Sequence, residues 1–195
     1  MRRALPLGLL LLGAGTLLAL VPLSRGADDG EAITRSFTFS SDPEVAVLTI
    51  THIGGLSGGR NVYILYGDGR LRQELRTRRG DLRESSEAAL SYNETRDFLE
   101  VAVAHGLLDT SPEELLAELK HPPAIVDAGT MVVEIHVTSY TRNDEEQGPV
   151  SNTLRLTAPR TEHAMNPEST PIAGMAALSE HLSRYRERLG QGGSR

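Results

Sequence analysis

Residues 45–77, VAVLTITHIGGLSGGRNVYILYGDGRLRQELRT, decide the fold class of this chain. The runs at 45–53 and 61–66 are rich in β-branched residues, which pack well on the pleated surface of a sheet. The turn GDG at 67–69 supplies the positive-φ residues that a tight hairpin requires. Residues 70–77 then alternate leucine and glutamine with charged side chains. The stretch therefore predicts a three-stranded meander with one polar face.

Later segments add helices and a second hairpin. A capping-box pattern at Ser91 predicts one helix start, because Ser91 and Glu94 can bond each other's backbone amides. Ser111 as a cap, Pro112 at the first helical position and two glutamates in the first turn predict a second helix start. Residues 130–140 alternate apolar and polar side chains and predict a strand, with a partner strand at 150–156. Residues 171–190 follow a 3.6-residue apolar period and predict a closing helix.

This order of elements predicts an α+β domain. Hairpins without β-helix-β crossovers favour a mostly antiparallel sheet, here of about five strands in the order β-β-β-α-α-β-β-α, with helices packed on one face. We expect a single domain over residues 45–190. A linker or edge strand precedes it at 27–44, where residues 33–39 alternate weakly, and a disordered tail follows at 191–195.

Three charged or polar segments lack any apolar period and are predicted to be loops. They are residues 78–87, 142–149 and 158–170. With these as connections, a chain of 195 residues has room for one hydrophobic core and no second domain.

Composition excludes several classes of function. The chain has no cysteine, which rules out disulfides, a thiolate nucleophile and thiolate metal sites. It has no tryptophan and 4% aromatic residues, so platforms for stacking nucleic-acid bases are scarce. Beyond residue 26 there are 17 basic and 26 acidic groups, a formal charge of −9, which disfavours binding to a phosphate backbone. We expect no nucleic-acid partner and no cofactor.

The amino terminus predicts export. Arg2 and Arg3 precede the apolar run 4–23, and the small residues Ser24 and Gly26 follow on either side of Arg25. A positive start, an apolar middle and small residues near the cut are typical of a secretory signal peptide, here residues 1–26. The run of about 20 residues is also long enough to cross a bilayer, so an uncleaved membrane anchor is the alternative. Either way we expect the domain to be periplasmic or secreted.

Arginines concentrate in the meander. Residues 60–83 hold seven arginines against three acidic residues. Those on the third strand are predicted to stand on its solvent face, opposite Leu71 and Leu75. This surface is a candidate patch for binding an acidic protein or an anionic envelope surface, and a merely solvated face is the alternative. The candidate patch consists of Arg70, Arg72, Arg76, Arg78 and Arg79.

Two features raise the question of catalysis. The G-x-S-x-G pattern around Ser57 is found in the nucleophile elbow of hydrolases, but that elbow needs a following helix, and a strand is predicted here. Glu134 and His136 lie on one side of a strand and need a third ligand to hold a metal; a solvated face opposite Thr153 or Arg155 explains them as well. We therefore predict a non-catalytic domain. A small extracytoplasmic hydrolase using Ser57 or a metal near His136 is the alternative.

Residues 48–69 combine a glycine-rich turn, Tyr63 and the tetrapeptide YGDG, and the following predicted helix ends in HGLLD at 105–109. This combination resembles a loose group of uncharacterised exported bacterial proteins, in which a strand, a glycine turn, a Tyr-x-Asp-Gly hairpin and a helix ending in Gly-Leu or Gly-Phe recur. The resemblance covers about residues 45–109 and implies an exported domain of unknown function. It carries over no catalytic residue. Some of that group have cysteines in the glycine turn, and this chain has none.

Overall fold

The computed structural model describes residues 33–54, 58–119 and 129–192, which form an α+β domain. Every strand pair among them is antiparallel, so the predicted fold class is confirmed, with seven strands in place of about five. The strands are β1 (Arg35–Thr38), β2 (Ala46–Ile53), β3 (Arg60–Tyr66), β4 (Arg70–Arg76), β5 (Leu82–Ala89), β6 (Thr130–Arg142) and β7 (Glu145–Thr157). The helices are α1 (Tyr92–Ala104), α2 (Pro112–Ala117), α3 (Pro159–Met165), α4 (Thr170–Ser183) and α5 (Arg186–Gly192).

Strand β6 is the centre of the sheet, because it pairs with three other strands. Strand β7 runs along its whole length, from Thr130 opposite Thr157 to Arg142 opposite Glu145. Strands β2 and β1 share the other edge of β6, one after the other. The meander then continues from β2 through β3 and β4 to β5. Strands β5 and β7 are therefore edge strands, and so is the short β1, which pairs with β6 alone among the described strands.

One face of the sheet is buried under the helices. Along β6, Met131, Val133, Ile135 and Val137 are buried, whereas the residues between them are not. These side chains belong to the same apolar cluster as the buried residues of α1 and α4. The helices thus pack on one face, and the alternate strand residues lie on the opposite face.

The helix starts predicted from the sequence are confirmed. The Ser91 amide donates to the Glu94 carboxylate over 2.7 Å, and the Ser91 hydroxyl accepts from the Glu94 amide, which is the reciprocal capping box. The same arrangement opens α2 at Ser111. At the end of α1, Gly106 takes a φ of 68°, which a side-chain-bearing residue resists, and the buried Leu107 folds back on the helix.

The three predicted loops contain regular structure. Residues 82–89 form β5, an edge strand whose side chains are mostly exposed to solvent. Backbone pairing with β4, rather than an alternation of apolar side chains, defines this strand. Helix α3 occupies 159–165 and starts after Ala158, which has a φ of 50° and supplies no capping side chain. Asn143 and Asp144 both have positive φ, so a two-residue turn joins β6 to β7 and the residues after it belong to β7.

The predicted closing helix is in fact two helices. After α4, the Tyr185 amide donates to the Leu182 carbonyl, an i to i−3 bond that tightens the chain and ends the α-helical ladder. Helix α5 then reaches Gly192, inside the segment predicted as a tail, and residues 193–195 lie outside the described part of the chain. The predicted signal peptide, residues 1–26, also lies outside it. Of the helices described, none is both long enough and apolar enough to span a membrane.

Candidate functional site

A cleft of about 520 Å³ lies where the end of α1 meets α3 and α4. Clefts of about 300–1,000 Å³ are typical of sites for small molecules. The polar part of the lining consists of His105, Arg160, His163 and Glu180, and the apolar part consists of Ala173, Ala176 and Ala177. The cleft therefore combines two imidazoles and two opposite charges with a floor of small side chains.

His105 is placed by the junction of α1 with α4. It is the residue that ends α1, directly before the left-handed Gly106. Gly174 of α4 packs on it so closely that a Cβ at Gly174 would lie only 2.4 Å from the His105 Cβ. Only glycine allows this approach, so the position of His105 in the cleft depends on residue 174.

The other lining residues are placed by helical spacing. Arg160 and His163 are three residues apart on α3, so they lie on the same side of that helix. Ala173, Ala177 and Glu180 are spaced by four and three residues on α4 and likewise share one side. Two helix faces therefore line the cleft, with one charged residue on each.

The polar groups of the cleft are poorly satisfied within the protein. Burial lowers the pKa of His105; the nearby His163 lowers it further, whereas the backbone of Thr170 acts in the opposite direction. The Nδ1 atom of His163 is buried and meets no hydrogen-bond partner among the described residues. Among the described residues, no ion pair within 4.0 Å involves Arg160 or Glu180. The His163 Nδ1 atom, Arg160 and Glu180 are therefore available to a ligand, whereas His105 already bonds the backbone of Thr170.

The lining of the cleft carries charged and proton-exchanging side chains. None of the described residues that line the cleft has a hydroxyl, thiol or amine side chain that would act as a nucleophile. Within the described ranges, no three histidine, aspartate or glutamate side chains are grouped closely enough to hold a metal ion. The cleft provides a guanidinium, two imidazoles and a carboxylate, which bind charged groups and exchange protons.

The five arginines of the predicted patch do not form one free surface. Arg72 and Arg76 both bind Glu74, with nitrogen to oxygen distances of 3.0 and 2.5 Å, and Glu74 is only 4% exposed. The Arg70 guanidinium lies 4.3 Å from the centre of the Tyr66 ring. These three arginines therefore stabilise the sheet.

The remaining two arginines of that patch, Arg78 and Arg79, are exposed in the turn between β4 and β5. The alternation along β4 does not distinguish Glu74 from the arginines beside it, so only the structure shows that this carboxylate is buried. The surface still available to an acidic partner is consequently this turn.

The second predicted candidate, the pair Glu134 and His136, lies on the face of the sheet away from the helices. Both residues are exposed, Glu134 stands opposite Thr153, and the His136 Nδ1 is 2.6 Å from the Ser151 hydroxyl. The solvated-face interpretation describes this arrangement. Ser57, the candidate nucleophile, lies outside the described residues.

No protein-family model matches the chain, and no curated protein matches its sequence. The fold and the cleft define its class: an α+β domain whose antiparallel sheet is covered by helices on one face and whose helices enclose a polar cleft.

Proposed function

We propose that the chain is an exported, non-catalytic binding domain that holds an anionic group of its ligand or partner in the cleft between α1, α3 and α4. One observation carries this proposal: Arg160 faces the same cleft as two imidazoles and has no carboxylate within 4.0 Å among the described residues. A guanidinium binds a carboxylate or phosphate through two parallel hydrogen bonds. An anion would therefore complete the site.

The imidazoles support the same ligand chemistry. A neutral imidazole donates one hydrogen bond, and a protonated one donates two and adds a positive charge. The lowered pKa of His105 keeps it neutral near pH 7 before an anion binds. A bound anion would favour the charged form and raise that pKa, so binding takes up protons and becomes tighter as the pH falls.

Two further features support export and a partner in the cell envelope. The amino-terminal pattern at 1–26 and the resemblance to exported proteins both indicate that the domain works outside the cytoplasm. The expected partner is an acidic protein or an anionic envelope surface. Either would present carboxylate or phosphate groups to Arg160, and the exposed Arg78 and Arg79 offer a second contact.

The experiment titrates the exported chain with inorganic phosphate and with acetate while the imidazole resonances of His105 and His163 are followed by NMR. We expect saturable shifts in the millimolar range, and Arg160→Ala should weaken binding about tenfold, the size of one lost charge-assisted contact. Arg155→Ala is the matched control, because Arg155 is exposed on the opposite face of the sheet. Absence of saturable shifts with both anions would overturn the proposal.

The hydrolase alternative has its own readout. Turnover in an esterase and peptidase screen, or metal bound to the purified protein, would support it against a non-catalytic role.

A further inference from the structure

We infer that the ligand of this cleft is a short zwitterionic peptide, whose carboxylate binds at Arg160 and the histidines and whose ammonium group binds at Glu180. The inference rests on the proposed anion-binding function and goes beyond it, because it assigns a role to the carboxylate in the cleft.

The cleft contains a pair of opposite charges. Arg160 and Glu180 line one cleft, yet no ion pair within 4.0 Å joins them. Opposite charges in a shared cleft stabilise each other when they meet. Since these two remain apart, each is available for an opposite charge on a ligand. A simple anion would pair with Arg160 and leave Glu180 without a partner of opposite charge.

His105 and Glu180 mark two ends of the cleft that are separated along α4. His105 packs against Gly174, whereas Glu180 lies six residues further along the same helix. At a rise of about 1.5 Å per residue, this is about 9 Å. A free amino acid carries its two charges on one carbon and is too short to reach both ends. A chain of two residues spans about 6.6–7.2 Å when extended, and the Glu180 side chain covers the remainder.

The floor of the cleft is apolar. Ala176 and Ala177 lie between the histidine end and the glutamate end of α4, and Ala173 lies beside the histidine end. Their methyl groups offer an apolar surface and no charge to a peptide lying between the two ends, so small aliphatic side chains fit there. The volume of about 520 Å³ also accommodates a peptide of this size.

The experiment compares related ligands by calorimetry or NMR titration on the exported chain: dialanine, N-acetyl-dialanine, dialanine amide and alanine. We expect dialanine to bind most tightly. Loss of the ammonium charge by acetylation should weaken binding about three- to fivefold, as expected for an exposed charge pair, and loss of the carboxylate should weaken it more. Alanine should bind no better than acetate.

Variants identify the residue responsible. Glu180→Gln should lower the affinity for dialanine to that for N-acetyl-dialanine and leave the latter unchanged, whereas Glu146→Gln, an exposed residue of β7, should change neither. Equal affinities of the wild-type protein for the two ligands would overturn the peptide inference while leaving anion binding intact. Failure of phosphate, acetate and every peptide to bind would remove the proposed function as well.

Discussion

Gly174 on α4 and His105 at the end of α1 are in such close contact that a methyl group at residue 174 would overlap the histidine. Its Cβ would lie 2.4 Å from the Cβ and 3.0 Å from the Cγ of His105. Neither atom is at the mobile end of a flexible side chain, so relief requires a shift of one helix against the other. This contact connects the packing of the core to the shape of the cleft.

Gly174→Ala should therefore destabilise the protein. Overpacking typically costs about 1–3 kcal/mol, which exceeds the gain of up to about 1 kcal/mol in helix propensity. Urea unfolding monitored by circular dichroism measures the difference. Gly190→Ala is the matched control, because nothing lies within 4 Å of a Cβ there, and it should be neutral or slightly stabilising. A Gly174→Ala variant as stable as the wild type would show that α1 and α4 can move apart at no cost in unfolding free energy.

Asp109 should be a major electrostatic contributor to stability. It accepts hydrogen bonds from Arg35 and from Tyr140, each over 2.8 Å, and so ties β1 and β6 to the segment after α1. Burial raises the pKa of Tyr140, and its bond to Asp109 adds to the effect. Asp109→Asn removes the charge from both bonds and should cost about 1.5–3 kcal/mol in unfolding free energy.

The control for Asp109 is Asp144→Asn, at an exposed turn position where asparagine also tolerates the positive φ. It should leave the urea midpoint unchanged. If Asp109→Asn were as stable as Asp144→Asn, the hydrogen bonds of Asp109 in the folded protein would be no stronger than its hydrogen bonds to water in the unfolded chain.

Glu74 should matter more for stability than for partner binding. It is buried between Arg72 and Arg76, so Glu74→Gln leaves two guanidinium groups facing a neutral amide and should cost about 1–3 kcal/mol. The same reasoning makes charge reversal at Arg72 or Arg76 a poor test of binding, because the chain would be destabilised first. Thermal unfolding of the variants measures both effects.

The suitable binding test uses the exposed pair, Arg78→Glu with Arg79→Glu. Surface changes of this kind typically alter stability by about 0.5 kcal/mol or less. Loss of binding to anionic vesicles by a folded double variant would assign the turn between β4 and β5 as a contact. Stability of Glu74→Gln equal to the wild type would contradict the structural role of Glu74.

Stability should fall as the pH drops below 6.5. The pKa values of His52, His105 and His181 are all lowered, chiefly by burial. Nearby arginines add to the effect at His52 and His181, and Asp97 opposes it at His181. The unfolded chain therefore binds protons before the folded chain does. The stability that these neutral histidines contribute is complete above 6.5 and is lost as the pH falls through their folded pKa values.

Urea midpoints between pH 7.5 and pH 5.5 measure this slope, which is at most about 1.4 kcal/mol per pH unit for each proton taken up. His181→Gln should flatten the profile, since one buried imidazole is removed. His136→Gln, at an exposed position on the other face of the sheet, should leave it unchanged. A stability that is flat across this window would contradict the prediction.

The elements that the sequence predicted correctly are those with local physical causes. The capping boxes at Ser91 and Ser111 depend on residues three apart, and the alternation along β6 follows from the period of the pleat. Strand β5 was not predicted because backbone pairing with β4 defines it, rather than an alternation of apolar and polar side chains. Helix α3 was not predicted because the residue before it, Ala158, provides no capping side chain.

The amino-acid order alone was sufficient for the α+β class and the antiparallel meander, since β-branched runs, tight turns and helix caps act over a few neighbouring residues. The cleft required long-range packing. His105, Arg160 and Glu180 come from three helices, and no local pattern couples them. They meet because Gly174 lets α4 approach the end of α1 and because α3, which follows β7, packs against α4.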